Sequence, residues 1–300
     1  MKQLVVISGK GGTGKTTIVA ALATLVREKV LADCDVDAAD LHLVMDPKVG
    51  KTEGFEGSKE AILDQGKCTG CGVCREGCRF GAIVESGSSF SVDPFRCEGC
   101  GVCAYLCPVG AIALRPRLSG YIHTSSTRFG TLVYGQLEPG EGTSGKLVMQ
   151  VKQRAAELVQ LEGKELLIVD GSPGIGCPVI ASLSGATAAL IVTEPTLSGL
   201  HDLERVLGVT RHFRIKALIC INKWDLNPAM AQRIEEFSQR QGLEMVGQIP
   251  YDDTVIEAMV RGKTVFEYSR GAVTRELERL WARLAEILGL EGEEVPRPQP

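Results

Sequence analysis

The eight residues Gly9-Lys10-Gly11-Gly12-Thr13-Gly14-Lys15-Thr16 do most to limit what this chain can become. They fit the spacing G-x-x-x-x-G-K-[ST], and they stand between an apolar run, residues 3–8, and a stretch of helical periodicity from Thr16 to about Arg27. A strand, a glycine loop and a helix in that order let consecutive backbone N–H groups curl around an anion at the positive end of the helix. In this frame Lys15 reaches the outer phosphates of a nucleoside triphosphate and the Thr16 hydroxyl ligates Mg²⁺. The residues from Gly9 to Thr17 are therefore the candidate phosphate-binding set. A chance glycine turn would explain neither flank.

Downstream, apolar runs at 29–33, 165–169, 187–193, 216–221 and 244–249 alternate with helical patterns near 148–161, 198–211, 228–241 and 253–260. Such alternation predicts an α/β fold, a mostly parallel, doubly wound sheet covered on both faces. A last helix, about 272–289, carries Leu277, Leu280, Trp281, Leu284 and Leu288 on one stripe. Its polar face mixes Arg275, Arg279 and Arg283 with Glu276, Glu278 and Glu286, which reads as a core helix rather than a membrane anchor. The periodicity fails between 60 and 118. The expected organisation is a host domain, 1–59 and 119–290, an insert, 60–118, and a flexible acidic tail, 291–300.

Composition narrows the partners. A formal charge of −4 gives no reason to expect nucleic acid or an anionic membrane. No apolar stretch reaches ~18 residues, so no span is expected. With no cleavable leader evident and 11 cysteines, the chain is expected in the reducing cytoplasm, where cysteines serve metals or catalysis rather than disulfides.

Lys10, a second lysine near the start of the phosphate loop, gives the first resemblance. GKGGTGKT resembles the deviant P-loop of the MinD/ParA group of ATPases, within the SIMIBI-type P-loop proteins. Leu31-Ala-Asp33-Cys-Asp35-Val-Asp37 resembles that group's switch I, and Leu167-Ile-Val-Asp170-Gly-Ser-Pro173-Gly174 its Walker B and switch II. Ile249-Pro250-Tyr-Asp252 is similar to its late base-binding loop. The resemblance implies a nucleotide held between the subunits of a homodimer. It implies that Lys10 reaches the phosphates across the interface, that Asp35 positions the attacking water, and that Asp170 holds Mg²⁺ through water. Asp33 and Asp37 also read as solvated strand-end acids. For the base, the group implies Asn222, Pro250 and Asp252 with ATP. Asn222-Lys223-Trp224-Asp225 also fits the N-K-x-D of GTPases, so Asp225 keeps GTP open.

Eight of the cysteines form a doubled motif. Cys68, Cys71, Cys74 and Cys78 have gaps of two, two and three residues, and Cys97, Cys100, Cys103 and Cys107 repeat them, with Pro108 next. Tetrahedral zinc sites use C-x₂₋₄-C pairs and do not suit a third cysteine at that spacing. The run resembles bacterial two-cluster ferredoxins. That resemblance implies two [4Fe-4S] clusters, one on Cys68, Cys71, Cys74 and Cys107, the other on Cys97, Cys100, Cys103 and Cys78. Arg79 departs from the proline expected after Cys78. An insert with so little aliphatic core is expected to fold only around its clusters.

Cys34 and Cys220 read as small core residues. Cys177, just beyond switch II, keeps three readings: a structural residue, a redox or metal-transfer thiol, and a ligand of a cluster bridging two subunits. The combined pattern resembles MinD-like ATPases of anaerobes with an inserted ferredoxin domain. It implies an ATP-driven switch coupled to electron transfer, or to iron–sulfur or metal-cofactor assembly, on a partner protein. The alternatives are a positioning or partitioning ATPase with redox-sensing clusters, and a cobyrinic acid diamide synthase-like ligase. The ligase reading lacks the glutaminase domain it would need.

Overall fold

The computed structural model describes residues 1–87 and 89–290, so the expectation for the tail, 291–300, lies outside the described residues. In chain order the elements begin with β1 (Lys2–Ser8), α1 (Lys15–Leu25), β2 (Lys29–Asp33), α2 (Leu41–Met45) and β3 (Lys48–Phe55). There follow β4 (Ser58–Leu63), α3 (Val73–Glu76), β5 (Ile83–Ser86), β6 (Ser89–Val92), α4 (Val102–Leu106) and β7 (Ile112–Arg117). Next come β8 (Gly120–Thr127), β9 (Gly130–Leu137), α5 (Ser144–Leu161), β10 (Leu166–Pro173), α6 (Cys177–Leu183), β11 (Ala188–Thr193) and α7 (Leu197–His212). The chain closes with β12 (Lys216–Asn222), α8 (Pro228–Arg240), β13 (Glu244–Ile249), α9 (Asp253–Val260), α10 (Val265–Tyr268) and α11 (Ala272–Leu288).

Nine strands form one sheet in the order β13-β12-β11-β1-β10-β2-β9-β8-β3. The pairings from β13 through to β9 are all parallel. The central strands read as unbroken apolar runs because helices cover both their faces: every residue of β11 is buried, as are seven of the eight in β10. One face packs Leu4, Val6, Leu31, Ile168, Leu190 and Leu218 against α1 and α11. The predicted stripe Leu277, Leu280, Trp281, Leu284 and Leu288 is buried in that core.

Three sheet strands were not anticipated from the sequence. β3 is almost wholly exposed and carries Lys48, Lys51 and Glu53, so it shows no buried run. β8 and β9, joined across Arg128 and Phe129, are rich in Thr, Ser and Gly.

The chain divides into two compact units. The first comprises Met1–Glu53, Ile122–Gln136 and the chain from Ser144 onward; the second comprises Gly54–Tyr121 with Leu137–Thr143. The second unit contains two small antiparallel sheets, β4-β7 and β5-β6. Its core is Ala61, Cys74, Ile83, Phe90 and Ile112, with Cys78, Cys97, Cys103 and Cys107 among the side chains packed against it.

Candidate functional site

The phosphate loop runs from the carboxyl end of β1, which lies between β10 and β11. That position is a topological switch point, where the crevice beyond the strand ends receives ligands in open α/β sheets. Gly12 and Gly14 hold φ of 78° and 90°, a region costly for any residue with a side chain. Gly14 caps α1 without a side-chain hydrogen bond. A side chain at Gly14 would stand 2.3 Å from Asn222 Nδ2, and one at Gly9 would stand 2.2 Å from Asp202 Cβ.

Polar contacts fix the loop from beneath. Asn222 Nδ2 donates to the Thr13 carbonyl at 2.8 Å, and Lys223 Nζ to the Gly12 carbonyl at 3.3 Å. Lys223 also meets Glu194 at 2.7 Å. Lys10 turns to the same carboxylate, 3.3 Å away, and to Ser198 Oγ at 3.3 Å. Within this protomer Lys10 is therefore held beside its own loop. Glu194 carried no motif weight in the sequence, and Lys223 entered only as the second residue of the N-K-x-D pattern. The usable signal was topological, because both stand just past the ends of strands beside the loop.

Three acidic residues cluster here: Asp33 and Asp170, paired across β2 and β10, and Asp35 just past β2. Asp170 is fully buried, and neither of its oxygens has a hydrogen-bond partner. Burial pushes its pKa up to about 6, against the pull of the Lys15 ammonium and then the Thr16 hydroxyl. Burial likewise raises Asp35 to about 6; Lys15 opposes the rise, while Asp37 and Asp40 add to it. Asp33 is not the solvated strand-end acid it resembled. It is wholly buried, and its carboxylate accepts the N–H groups of Asp35 at 3.0 Å and Leu41 at 3.1 Å, fixing the turn after β2. Burial, then the neighbouring Asp170, raises its pKa well above the usual carboxylate value.

A cavity of about 650 Å³ opens over this ground. Gly11, Gly12, Gly14, Lys15, Thr16, Thr17, Asp35, Asn222, Pro250 and Asp252 all line it. Its far end is apolar, walled by Ile18, Ile249, Val255, Ile256, Met259 and Leu277, with Tyr251 beside Pro250. Gly9, Lys10, Thr13, Asp170 and Asp225 are not on its wall. Asp225, the last residue of the N-K-x-D pattern, accepts the Tyr251 N–H on Oδ1 at 2.7 Å and so braces the 250 loop. Asp252 caps α9 through the Thr254 N–H at 2.9 Å.

In the second unit the doubled cysteine motif folds as a doubled structure. Gly70 and Gly72 have φ of 71° and 78°, and their counterparts Gly99 and Gly101 have 63° and 82°. The N–H of Cys68 donates to Asp64 O at 3.1 Å, and that of Cys97 to Asp93 O at 3.1 Å. Two small pockets result. Cys68, Cys71, Cys74 and Cys107 line one; Cys97, Cys100, Cys103 and Cys78 line the other. Among the described residues no three or more His, Cys, Asp or Glu side chains form a group that could hold a metal ion. Backbone N–H groups bond the Cys107 sulfur from Ala111 at 3.2 Å and the Cys78 sulfur from Ala82 at 3.4 Å.

Of the remaining thiols, Cys34 and Cys220 are fully buried, and burial pushes both pKa values up. Cys177 is exposed at the first turn of α6, close against Gly145 at the start of α5. Among the described residues no helix is long and apolar enough to cross a membrane.

Fold and cavity together define a P-loop nucleotide-binding protein with a mostly parallel central sheet. Residues 4–265 match the family described as the CobQ/CobB/MinD/ParA nucleotide binding domain, and the chain belongs to that family as a MinD/ParA-type ATPase. An uncharacterized protein of Methanocaldococcus jannaschii is 34% identical over 290 residues, covering 95% of this chain and 97% of its own. The septum site-determining protein MinD of Bacillus subtilis is 25% identical over 279 residues, covering 87% and 81%. Among solved structures, Pyrococcus horikoshii MinD complexed with Mg-ADP superimposes with a TM-score of 0.58 at 16% identity, covering 98% of this chain and 99% of that one.

Proposed function

We propose that this ATPase couples nucleotide turnover to a pair of [4Fe-4S] clusters in its second unit, for electron transfer to a partner protein or for assembly of a metal cofactor on it. The observation that carries the reading is the sorting of eight cysteines. Each four-thiol set expected of a two-cluster ferredoxin lines its own pocket, and each draws its fourth thiol from the other motif. The lack of a single-ion site among the described residues is compatible with this, because a cubane spaces its ligand sulfurs wider than one ion does. The clusters would supply one-electron chemistry.

The chain's own residues account for the nucleotide half. The P-loop N–H groups and Lys15 neutralise phosphate charge, and the apolar end of the cavity takes a nucleobase. The orphaned carboxylate of Asp170, with Thr16 near it, fits Mg²⁺ and its water shell. Asp35, with a pKa near 6, is mostly ionised at neutral pH and can orient a water for in-line attack. Lys10 would leave Glu194 for the phosphates of a partner protomer in a homodimer. Lys223 keeps Glu194 paired when it does. The reading places the protein in the cytoplasm of an anaerobe.

The test is anaerobic purification with iron and sulfide analysis beside an ATPase assay. About eight irons per chain and hydrolysis lost with Lys15→Ala support the proposal; an iron-free but active protein overturns it. That second outcome would favour a positioning ATPase, the reading supported by relatives named as septum site-determining proteins.

A further inference from the structure

The internal repeat of the second unit isolates the positions at which its two thiol sites differ. Cys78-Arg79-Phe80-Gly81-Ala82-Ile83 and Cys107-Pro108-Val109-Gly110-Ala111-Ile112 follow the same path. Gly81 and Gly110 hold φ of 63° and 62°. Their N–H groups donate to the Cys78 and Cys107 carbonyls at 3.1 and 3.3 Å. The next N–H in each, from Ala82 and Ala111, reaches the cysteine sulfur at 3.4 and 3.2 Å. On this common frame one site has Pro108 after its cysteine and the other has Arg79.

Arg79 is exposed, yet it is not loose. Its guanidinium stacks 5.5 Å from the centroid of Phe80, and Phe80 lines the pocket of Cys78, Cys97, Cys100 and Cys103. No carboxylate among the described residues forms an ion pair with it. Glu98 also lines that pocket, whereas no Asp, Glu, Lys, Arg or His lines the twin pocket.

We infer that Arg79 raises the reduction potential of the cluster held by Cys78, Cys97, Cys100 and Cys103 and leaves its twin unshifted, an inference that rests on the cluster reading. Reduction adds a negative charge to the cluster, so a cation on the residue that follows its ligand Cys78 favours the reduced state. Glu98 acts on the same cluster with the opposite sign. The two sites are thereby tuned separately although their backbones match.

The test is an anaerobic redox titration of the full-length, cluster-loaded protein, followed by EPR, with iron content measured on each variant. Arg79→Gln should lower the reduced-to-oxidised ratio of one cluster about two- to fivefold at fixed potential, the size expected of one exposed charge in a largely aqueous dielectric. Arg79→Lys should keep the wild-type value, and Glu98→Gln should move the same cluster the other way. Raising the salt should shrink both shifts. With two clusters present, an unmoved titration or an equal shift of both clusters overturns the inference alone. A chain that takes up no iron overturns the cluster reading and the inference together.

Discussion

Around the nine-stranded sheet, Leu4, Val6, Leu31, Ile168, Leu190 and Leu218 are 0% exposed and belong to one aliphatic core. The second unit closes on five residues, one of them Cys74, and half of the side chains packed against that core are cysteines. Hydrophobic burial suffices for the first unit, because a large aliphatic interior offsets the entropy of ordering the chain. In the second, thiols occupy places where aliphatic side chains would otherwise sit, and on the proposed cluster reading its stability depends on what they bind. One chain thus pairs a large aliphatic core with a small one in which thiols take part.

The largest expected effect would break this contrast outright. Protein prepared without iron should lose amide exchange protection across 54–121 while β1, β10 and β11 stay protected. Equal protection with and without iron would show that the second unit folds on its own core. The next effect lies in the first unit: Lys15→Ala should cut hydrolysis at least about 100-fold and leave iron content unchanged. Steady-state turnover beside iron analysis separates the two units.

A third prediction concerns pH. Asp170 is raised from 3.8 to about 6 in the folded state, so the folded protein binds its proton more tightly than the unfolded chain does. Its contribution therefore favours the nucleotide-free fold below about pH 4, and is lost as pH rises from there through about 6. Asp170→Asn should flatten that slope and raise stability near pH 7 by at most about 3 kcal/mol. Thermal melts from pH 4 to 7.5 read both effects. An unchanged slope would place the carboxylate in a more polar setting than its orphaned oxygens indicate. The smallest effect is Asn222→Ala, which frees the Thr13 carbonyl and should weaken nucleotide binding by about 1 kcal/mol, measured by calorimetry.

What was legible in the sequence followed the same division. The parallel sheet and its helices were readable because β10 and β11 are buried on both faces and show unbroken apolar runs. β3 escaped because an exposed edge leaves no such signature, and β8 and β9, interior to the sheet, because polar Thr, Ser, Gly and Gln break up their apolar runs. In the site, the phosphate loop announced itself through glycine spacing, since its conformation demands those residues. The Glu194 network did not, because its members meet only through the fold. Asp225 stayed ambiguous for a related reason: four residues in a row do not show whether a carboxylate faces a base or a backbone N–H. A solvated Asp33 stayed open as an alternative because its partners, the N–H groups of Asp35 and Leu41, carry no side-chain signal.

The central claim is that nucleotide in the first unit governs clusters in the second. The measurement is the reduction potential and chelator accessibility of the clusters in anaerobically purified protein, with and without Mg²⁺ and ATP, in wild type and in Lys15→Ala. A nucleotide-dependent change in wild type that vanishes in Lys15→Ala is the predicted result. Clusters equally reducible and equally accessible under every condition would contradict it.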